Sequence, residues 1–204
     1  MQTEAANTIK IIGITGGVGA GKSRILSILK EEYGAFIVLA DDVARQLQEP
    51  GQPGYDALVE LFGAGILNEE GRIDRPRLAD IIFHDQARLN QVNAVIHPMT
   101  WERIMQMIRS AREPLAAIES ALFDRESSRT CDEVWFIDAD EETRVRRVMN
   151  NRGYTREKAL QIIGNQQDRD TFLSFADRII DNNGTMEDIH RQLKDILQAE
   201  GQLL

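Results

Sequence analysis

A single cysteine, Cys131, stands among the 204 residues, so no internal disulfide is available. That fits a reducing cytosol, and such a thiol is expected to be a small, half-buried apolar filler. No apolar run approaches the roughly 18 residues that span a membrane. Met1 to Thr8 are polar and lack the apolar core of a signal segment. A cytoplasmic protein with no membrane partner is therefore expected. Positive charge is in deficit: 24 Lys and Arg face 33 Asp and Glu, a net charge of −9. A general nucleic-acid binder presents a basic surface, so nucleic acid is not expected as a partner. A local basic pocket for a phosphorylated ligand stays compatible with that charge. Internal repeats and low-complexity linkers are absent. Hydrophobic residues make up 42% of the chain, enough for a packed core and too many for a disordered one.

What is present begins with Gly16-Gly17-Val18-Gly19-Ala20-Gly21-Lys22-Ser23. This fits the G-x-x-x-x-G-K-[ST] pattern of a phosphate-binding loop. An apolar run, Ile9 to Thr15, precedes it and reads as a buried strand. A helical pattern from about Lys22 to Tyr33 follows. Glycines let the backbone curl so that several N–H groups face one anion, and the helix N-terminus adds partial positive charge. Lys22 is then expected to reach the β- and γ-phosphates, and the Ser23 hydroxyl to ligate Mg²⁺. The binding stretch for ATP is Gly17, Val18, Gly19, Ala20, Gly21, Lys22 and Ser23.

Short apolar runs recur at Phe36–Ala40, Leu115–Ile118, Val134–Ile137 and Arg178–Ile180. Helical periodicity fits Glu141–Asn150, Thr155–Asn165 and Met186–Ala199, with Thr155 as an N-cap. Buried strands separated by helices predict an α/β fold, a parallel sheet in three layers. Ligands then gather at the carboxyl ends of the strands, where Gly16 and Asp41 sit. From Val43 to Glu113 the pattern is helical, broken by turn clusters at Glu49–Gly54 and Asn68–Gly71. Such a block, inserted between strands, predicts a helical substrate-binding subdomain.

A phosphate loop alone serves kinases, GTPases, ATPases and motors. The chain has no Asn-Lys-x-Asp base-reading motif, which disfavours a GTPase. Small size and the helical insertion favour a small-molecule kinase. Phosphoryl transfer needs in-line positioning, charge neutralisation and a group to take the acceptor's proton. Asp41 and Asp42 are the candidates for that last role. Their competing role is to cap a helix starting near Val43. Arg144, Arg146, Arg147, Arg152 and Arg156 crowd the later helices. They either clamp the transferring phosphoryl group and close a lid, or form a solvated charged face.

Further segments fall in a specific order: Ala40-Asp41 with Ala44-Arg45, then Glu49-Pro50-Gly51; Gly71-Arg72-Ile73-Asp74-Arg75, Ile82-Phe83 and Ile96-His97-Pro98; Arg147, Arg152, Gln166, Ala176-Asp177 and Ile180-Asp181-Asn182-Asn183-Gly184. Together with the loop, these resemble the dephospho-CoA kinase family through most of the chain. The resemblance implies transfer of the ATP γ-phosphoryl group to the ribose 3′-hydroxyl of dephospho-CoA, giving coenzyme A. It implies a P-loop kinase fold in three parts: a nucleotide-binding core (1–42, 114–140, 176–204), a helical CoA-binding subdomain (43–113) and a lid (141–175). It assigns Asp41 the general-base role and places Arg45 near the acceptor nucleotide. His97 either lines that substrate pocket or is a structural histidine capping a turn at Pro98. Arg147 and Arg152 become lid or phosphate contacts, Arg147 with a catalytic role, and Asn182 and Gly184 lie where the family contacts adenine. The chain departs from the family pattern at Leu39, where a carboxylate is common, at Arg24, where threonine is common, and in Ser120-Ala121-Leu122-Phe123-Asp124. Leu39 withdraws a metal ligand; Asp42 or Glu119, through water, is the expected substitute. Asp124 is expected to pack or cap. The other readings are another nucleoside or nucleotide kinase and a nucleotide sensor without turnover. Oligomeric state is expected to be a monomer or weak homo-oligomer, with a trimer also open.

Overall fold

The computed structural model describes residues 9–83, 85–121, 123 and 126–199. The polar segment 1–8, and Leu122 and Asp124 with the packing or capping role expected for the latter, lie outside the described residues. In chain order the elements are β1 (Lys10–Thr15), α1 (Lys22–Tyr33), β2 (Phe36–Leu39), α2 (Ala40–Leu47), α3 (Pro53–Phe62), α4 (Arg75–Phe83), α5 (Gln86–Ser110), β3 (Leu115–Glu119), β4 (Glu133–Asp138), α6 (Glu141–Arg152), α7 (Arg156–Gly164), α8 (Arg169–Leu173), β5 (Arg178–Asp181) and α9 (Met186–Ala199). They fall into two compact units: the residues up to Ile37 with those from Arg112 onward, and Val38–Ala111.

The strand order in the sheet is β2-β3-β1-β4-β5. β1 is central. It pairs in parallel with β3 from Lys10↔Leu115 to Ile14↔Glu119, and with β4 from Ile12↔Glu133 to Thr15↔Phe136. β5 extends the sheet in parallel from Trp135↔Arg178 to Asp138↔Asp181. A strand covered on both faces needs a continuous apolar run, which is why Ile12 and Ile14 are fully buried. Two helices close over them with periodic apolar stripes: Ile25 and Leu29 of α1, and Ile189, Leu193 and Leu197 of α9. Gly34 ends α1 in the left-handed region (φ 63°) and donates its N–H to the Leu29 carbonyl. The family of folds built this way takes its ligands where the strand order reverses, here beside β1 and β4.

Cys131 is partly buried, and its Sγ stands 3.1 Å from where a side chain on Gly13 would begin. Burial pushes its thiol up to about 12, with Asp132 and Asp177 adding to the rise and a Thr130 hydrogen bond opposing it. The sign follows directly. A raised folded value keeps the thiol protonated, so its contribution to stability is full below the unfolded value and is lost as pH rises toward 12. Iodoacetamide at pH 8 is therefore expected to leave Cys131 unmodified in the native protein and to alkylate it in urea, read by mass spectrometry. Alkylation at equal rates in both would show that the thiol is not shielded.

The second unit is helical, as the sequence predicts. Leu58, Ile66, Ile73, Leu78, Val92 and Ile96 form its buried core. The first turn cluster is a turn only as far as Gln52, since Pro53 and Gly54 open α3; the second is a turn tied by Asn68, whose Oδ1 accepts from the N–H groups of Glu70 (3.1 Å) and Arg72 (2.9 Å). An isolated antiparallel bridge, Leu67↔Ile73, closes it. Asp85 caps α5, its side chain accepting from the N–H groups of Ala87 and Arg88.

Two expectations are corrected here. α2 begins at Ala40, directly after β2, and its N-cap is Leu39, with no side-chain cap. Asp41 and Asp42 therefore lie inside the first turn, so neither is the cap of a helix starting near Val43. Their charges still complement the helix dipole. The turn at Pro98 is also absent. Pro98 lies inside the 25-residue helix α5. It cannot donate to the Ala94 carbonyl, and Ala94 is exposed, so solvent can satisfy that oxygen.

Candidate active site

The phosphate loop follows β1 at the carboxyl edge of the sheet. Gly16, Gly19 and Gly21 take φ of 144°, 80° and 99°, conformations that L side chains rarely adopt. A Cβ on Gly16 would sit 2.6 Å from the Ile137 carbonyl oxygen. Gly21 is the N-cap of α1, so the helix opens with free N–H groups. The Lys22 ammonium donates to the Gly16 carbonyl at 2.7 Å and lies 3.4 Å from Glu119 Oε1 at the end of β3. Ser23 is exposed in the first helical turn.

The remaining loop carbonyls are held from behind. Arg147 Nη1 donates to the carbonyls of Gly19 (3.3 Å) and Ala20 (3.1 Å), and its Nη2 to the Asn182 carbonyl (2.8 Å). Asn182, buried after β5, donates from Nδ2 to the Ala20 carbonyl at 2.6 Å. Arg144 Nε donates to the Val18 carbonyl at 3.0 Å. Desolvation lowers the pKa of both guanidinium groups; Arg24 and Arg146 add to this for Arg147, while Glu141 and Asp138 oppose it for Arg144. With these carbonyls held by side chains, the loop can present N–H groups to an anion, apart from that of Ala20, which donates to the Gly17 carbonyl at 3.1 Å.

Of the five arginines, the structure brings Arg144 and Arg147 to the loop. They sit three residues apart on α6, on the side of the buried Val145 and Val148. Arg152 is exposed in the last turn of α6, Arg146 is exposed beside Thr143, and Arg156 pairs with Glu142 at 2.7 Å on the surface. Gly184 is exposed before α9, and a Cβ there would meet Asp188 Oδ2 at 2.6 Å. Asp188 accepts from the Thr185 N–H at 2.9 Å while the Thr185 hydroxyl accepts from the Asp188 N–H at 3.3 Å, a reciprocal cap on α9. Sequence reasoning counted Arg144 only among the five candidate clamp arginines and gave the ATP-binding roles to Arg147 and Arg152; the three-residue spacing from Arg147 was the signal that could have added it. A cavity of about 450 Å³ lies beside the loop at the end of β4, lined by Gly17, Ala20, Asp138, Arg144, Arg169 and Phe172 among others. Its wall includes the stacked rings of Phe136 and Phe172, 5.1 Å apart, and the Asp138–Arg169 pair at 2.8 Å.

In the second unit Asp41 is exposed and, among the described residues, makes no hydrogen bond or ion pair. Asp42 instead pairs with Arg45 at 3.0 Å, and the Arg45 carbonyl accepts from Arg75 at 3.4 Å. His97 is half-buried on α5, where Trp101 Nε1 donates to its Nε2 at 2.9 Å. Among the described residues no three His, Cys, Asp or Glu side chains gather to hold a metal. That donor set suits an ion such as Mg²⁺, which keeps its waters and takes most remaining ligands from substrate phosphates. The exposed Ser23 hydroxyl fits the one protein contact such an ion needs.

Gly21→Ala places its Cβ against Asn182 Nδ2, at a φ of 99° that disfavours alanine. The variant is expected to lose about tenfold or more in nucleotide affinity, since a strain of 1–3 kcal/mol falls on the loop itself. Unchanged affinity in a fluorescent-nucleotide titration would show that the tie from Asn182 is not needed.

Residues 10–188 match the family model described as dephospho-CoA kinase. The chain is 34% identical over 194 residues to a dephospho-CoA kinase from Carboxydothermus hydrogenoformans, covering 93% of this chain and 94% of that one. It is 37% identical over 190 residues to a dephospho-CoA kinase from Corynebacterium glutamicum, covering 91% and 94%. The crystal structure of TT1252 from Thermus thermophilus superposes with a TM-score of 0.79 at 31% identity, covering 94% and 97%.

Proposed function

From the premise that the chain belongs to the dephospho-CoA kinase family, we propose that it moves the γ-phosphoryl group of ATP to the ribose 3′-hydroxyl of dephospho-CoA by using Asp41 as the base. The carboxylate takes the hydroxyl proton as the 3′-oxygen attacks phosphorus. The bond between phosphorus and the β–γ bridging oxygen breaks, and ADP leaves. Lys22 and the loop N–H groups neutralise charge as it moves onto the β-phosphate. Ser23 would hold Mg²⁺, which would supply positive charge to offset that of the phosphates. Arg147 keeps the loop in shape, and with Arg152 belongs to the lid assigned to residues 141–175. Asn182 and Gly184 border the adenine, and residues 43–113, with Arg45 and His97, take the acceptor nucleotide. Location in the cytoplasm and a monomeric or weakly associating state complete the proposal. No helix among the described residues is long and apolar enough to cross a membrane.

The observation that carries the reading is the loop, with Lys22 at one end and its carbonyls tied away by Arg144, Arg147 and Asn182. ADP formation with Mg-ATP is the test, with and without dephospho-CoA and against a panel of nucleoside monophosphates. ADP release is expected to depend on dephospho-CoA. Preference for a nucleoside monophosphate would move the chain to another kinase activity, and ATP binding without ADP release would make it a sensor.

A further inference from the structure

One loop N–H group already has an acceptor that is not a phosphate. The Val18 N–H donates to Gln166 Oε1 at 2.7 Å. Gln166 follows α7 in the chain, 148 residues from Val18. The same oxygen accepts from Arg144 Nη2 at 2.9 Å. Arg144 is fixed for this by its Nε, which donates to the Val18 carbonyl at 3.0 Å. Its guanidinium lies against Gly17, where any side chain would overlap Nη2 and would meet Gln166 Oε1 at 3.1 Å. One oxygen thus receives a loop N–H and a guanidinium together. A phosphoryl oxygen on a phosphate loop needs the same donors.

We infer that the Val18 N–H and Arg144 Nη2 form the subsite for one oxygen of the ATP γ-phosphoryl group, and that Gln166 fills this subsite until ATP displaces it. The inference rests on the kinase reading and adds a phosphate-binding residue to it. An amide oxygen carries only a partial charge, whereas a γ-phosphoryl oxygen carries most of a full one. Exchange of the first for the second is therefore favourable at a guanidinium, which attracts the more negative acceptor more strongly. The device also sorts nucleotides. ADP has no γ-phosphoryl group, so it leaves Gln166 in place. ATP frees the Gln166 side chain and with it the segment between α7 and α8.

Binding of ATP and of ADP, measured separately by calorimetry without acceptor, tests this in the wild type, Arg144→Met and Gln166→Ala. Arg144→Met removes the tie to the Val18 carbonyl for both nucleotides and is expected to raise the Kd for ATP about tenfold more than that for ADP, the further loss of one charge-assisted hydrogen bond. Gln166→Ala is expected to lower the Kd for ATP several-fold and leave that for ADP unchanged. Equal effects of Arg144→Met on both nucleotides would make Arg144 only a prop for the loop and overturn the subsite. Weaker ATP binding in Gln166→Ala would show that the amide helps ATP rather than competing with it, and would overturn the displacement. If Arg144→Met does not fold, Arg144→Lys, which keeps the charge, is expected to retain part of the ATP preference; loss of none of it overturns the subsite. A wild type that binds neither nucleotide overturns the kinase reading itself, an outcome distinct from all of these.

Discussion

Asp41→Asn is expected to lower kcat about 10²–10⁴-fold while the Kd for ATP stays within about twofold. The substitution is nearly isosteric and removes only the ability to accept a proton. Nothing in the described structure depends on that carboxylate: Asp41 is exposed and, among the described residues, has no hydrogen bond or ion pair. The one structural loss is a negative charge in the first turn of α2, worth about 0.3–1 kcal/mol. A thermal melt should therefore barely move while single-turnover phosphoryl transfer collapses. Asp42→Asn is the control, because Asp42 is already committed to Arg45 at 3.0 Å. If Asp42→Asn loses activity and Asp41→Asn does not, the base has been assigned to the wrong carboxylate.

Lys22→Ala is expected to lower kcat about 10²–10³-fold, the usual loss when one donor aimed at developing charge is removed. The ammonium in this structure donates to the Gly16 carbonyl and pairs with Glu119. Its truncation leaves Glu119 partly buried without that partner, at a cost to folding of about 1–3 kcal/mol. The catalytic loss exceeds that, because the phosphate charge shifts toward Lys22 only as the bond to the γ-phosphoryl group breaks. Lys22→Met keeps the aliphatic stem and separates the two effects. Near-normal turnover in either variant would remove the loop from the mechanism.

Much of the core was legible because strands buried on both faces leave little choice of residue. Ile11–Ile14 and Val134–Ile137 can only be strand or buried helix, and the glycines after the first decide it. The start of α2 was harder to read. The apolar run from Phe36 passes through Leu39 into Ala40 with no polar residue between them, so the residue pattern does not change where the backbone does. Pro98 misled for a different reason. A proline breaks a helix when the carbonyl it abandons is buried, and whether Ala94 faces water is a tertiary fact. The arginines of α6 show the same limit. Arg144, Arg146 and Arg147 are alike as residues, and only the placement of Val145 and Val148 in the core turns the first and third toward the loop.

The ties on the phosphate loop have a consequence in time. The donors that hold the carbonyls of Val18, Gly19 and Ala20 lie 126, 128 and 162 positions further along the chain. The loop is made before these residues, so three of its carbonyls wait for partners synthesised later. Contacts this distant form late in folding. A nascent chain that has reached α5 carries the whole glycine motif and none of the side chains that hold the carbonyls of Val18, Gly19 and Ala20. It should be blind to ATP until Asn182 has left the ribosome.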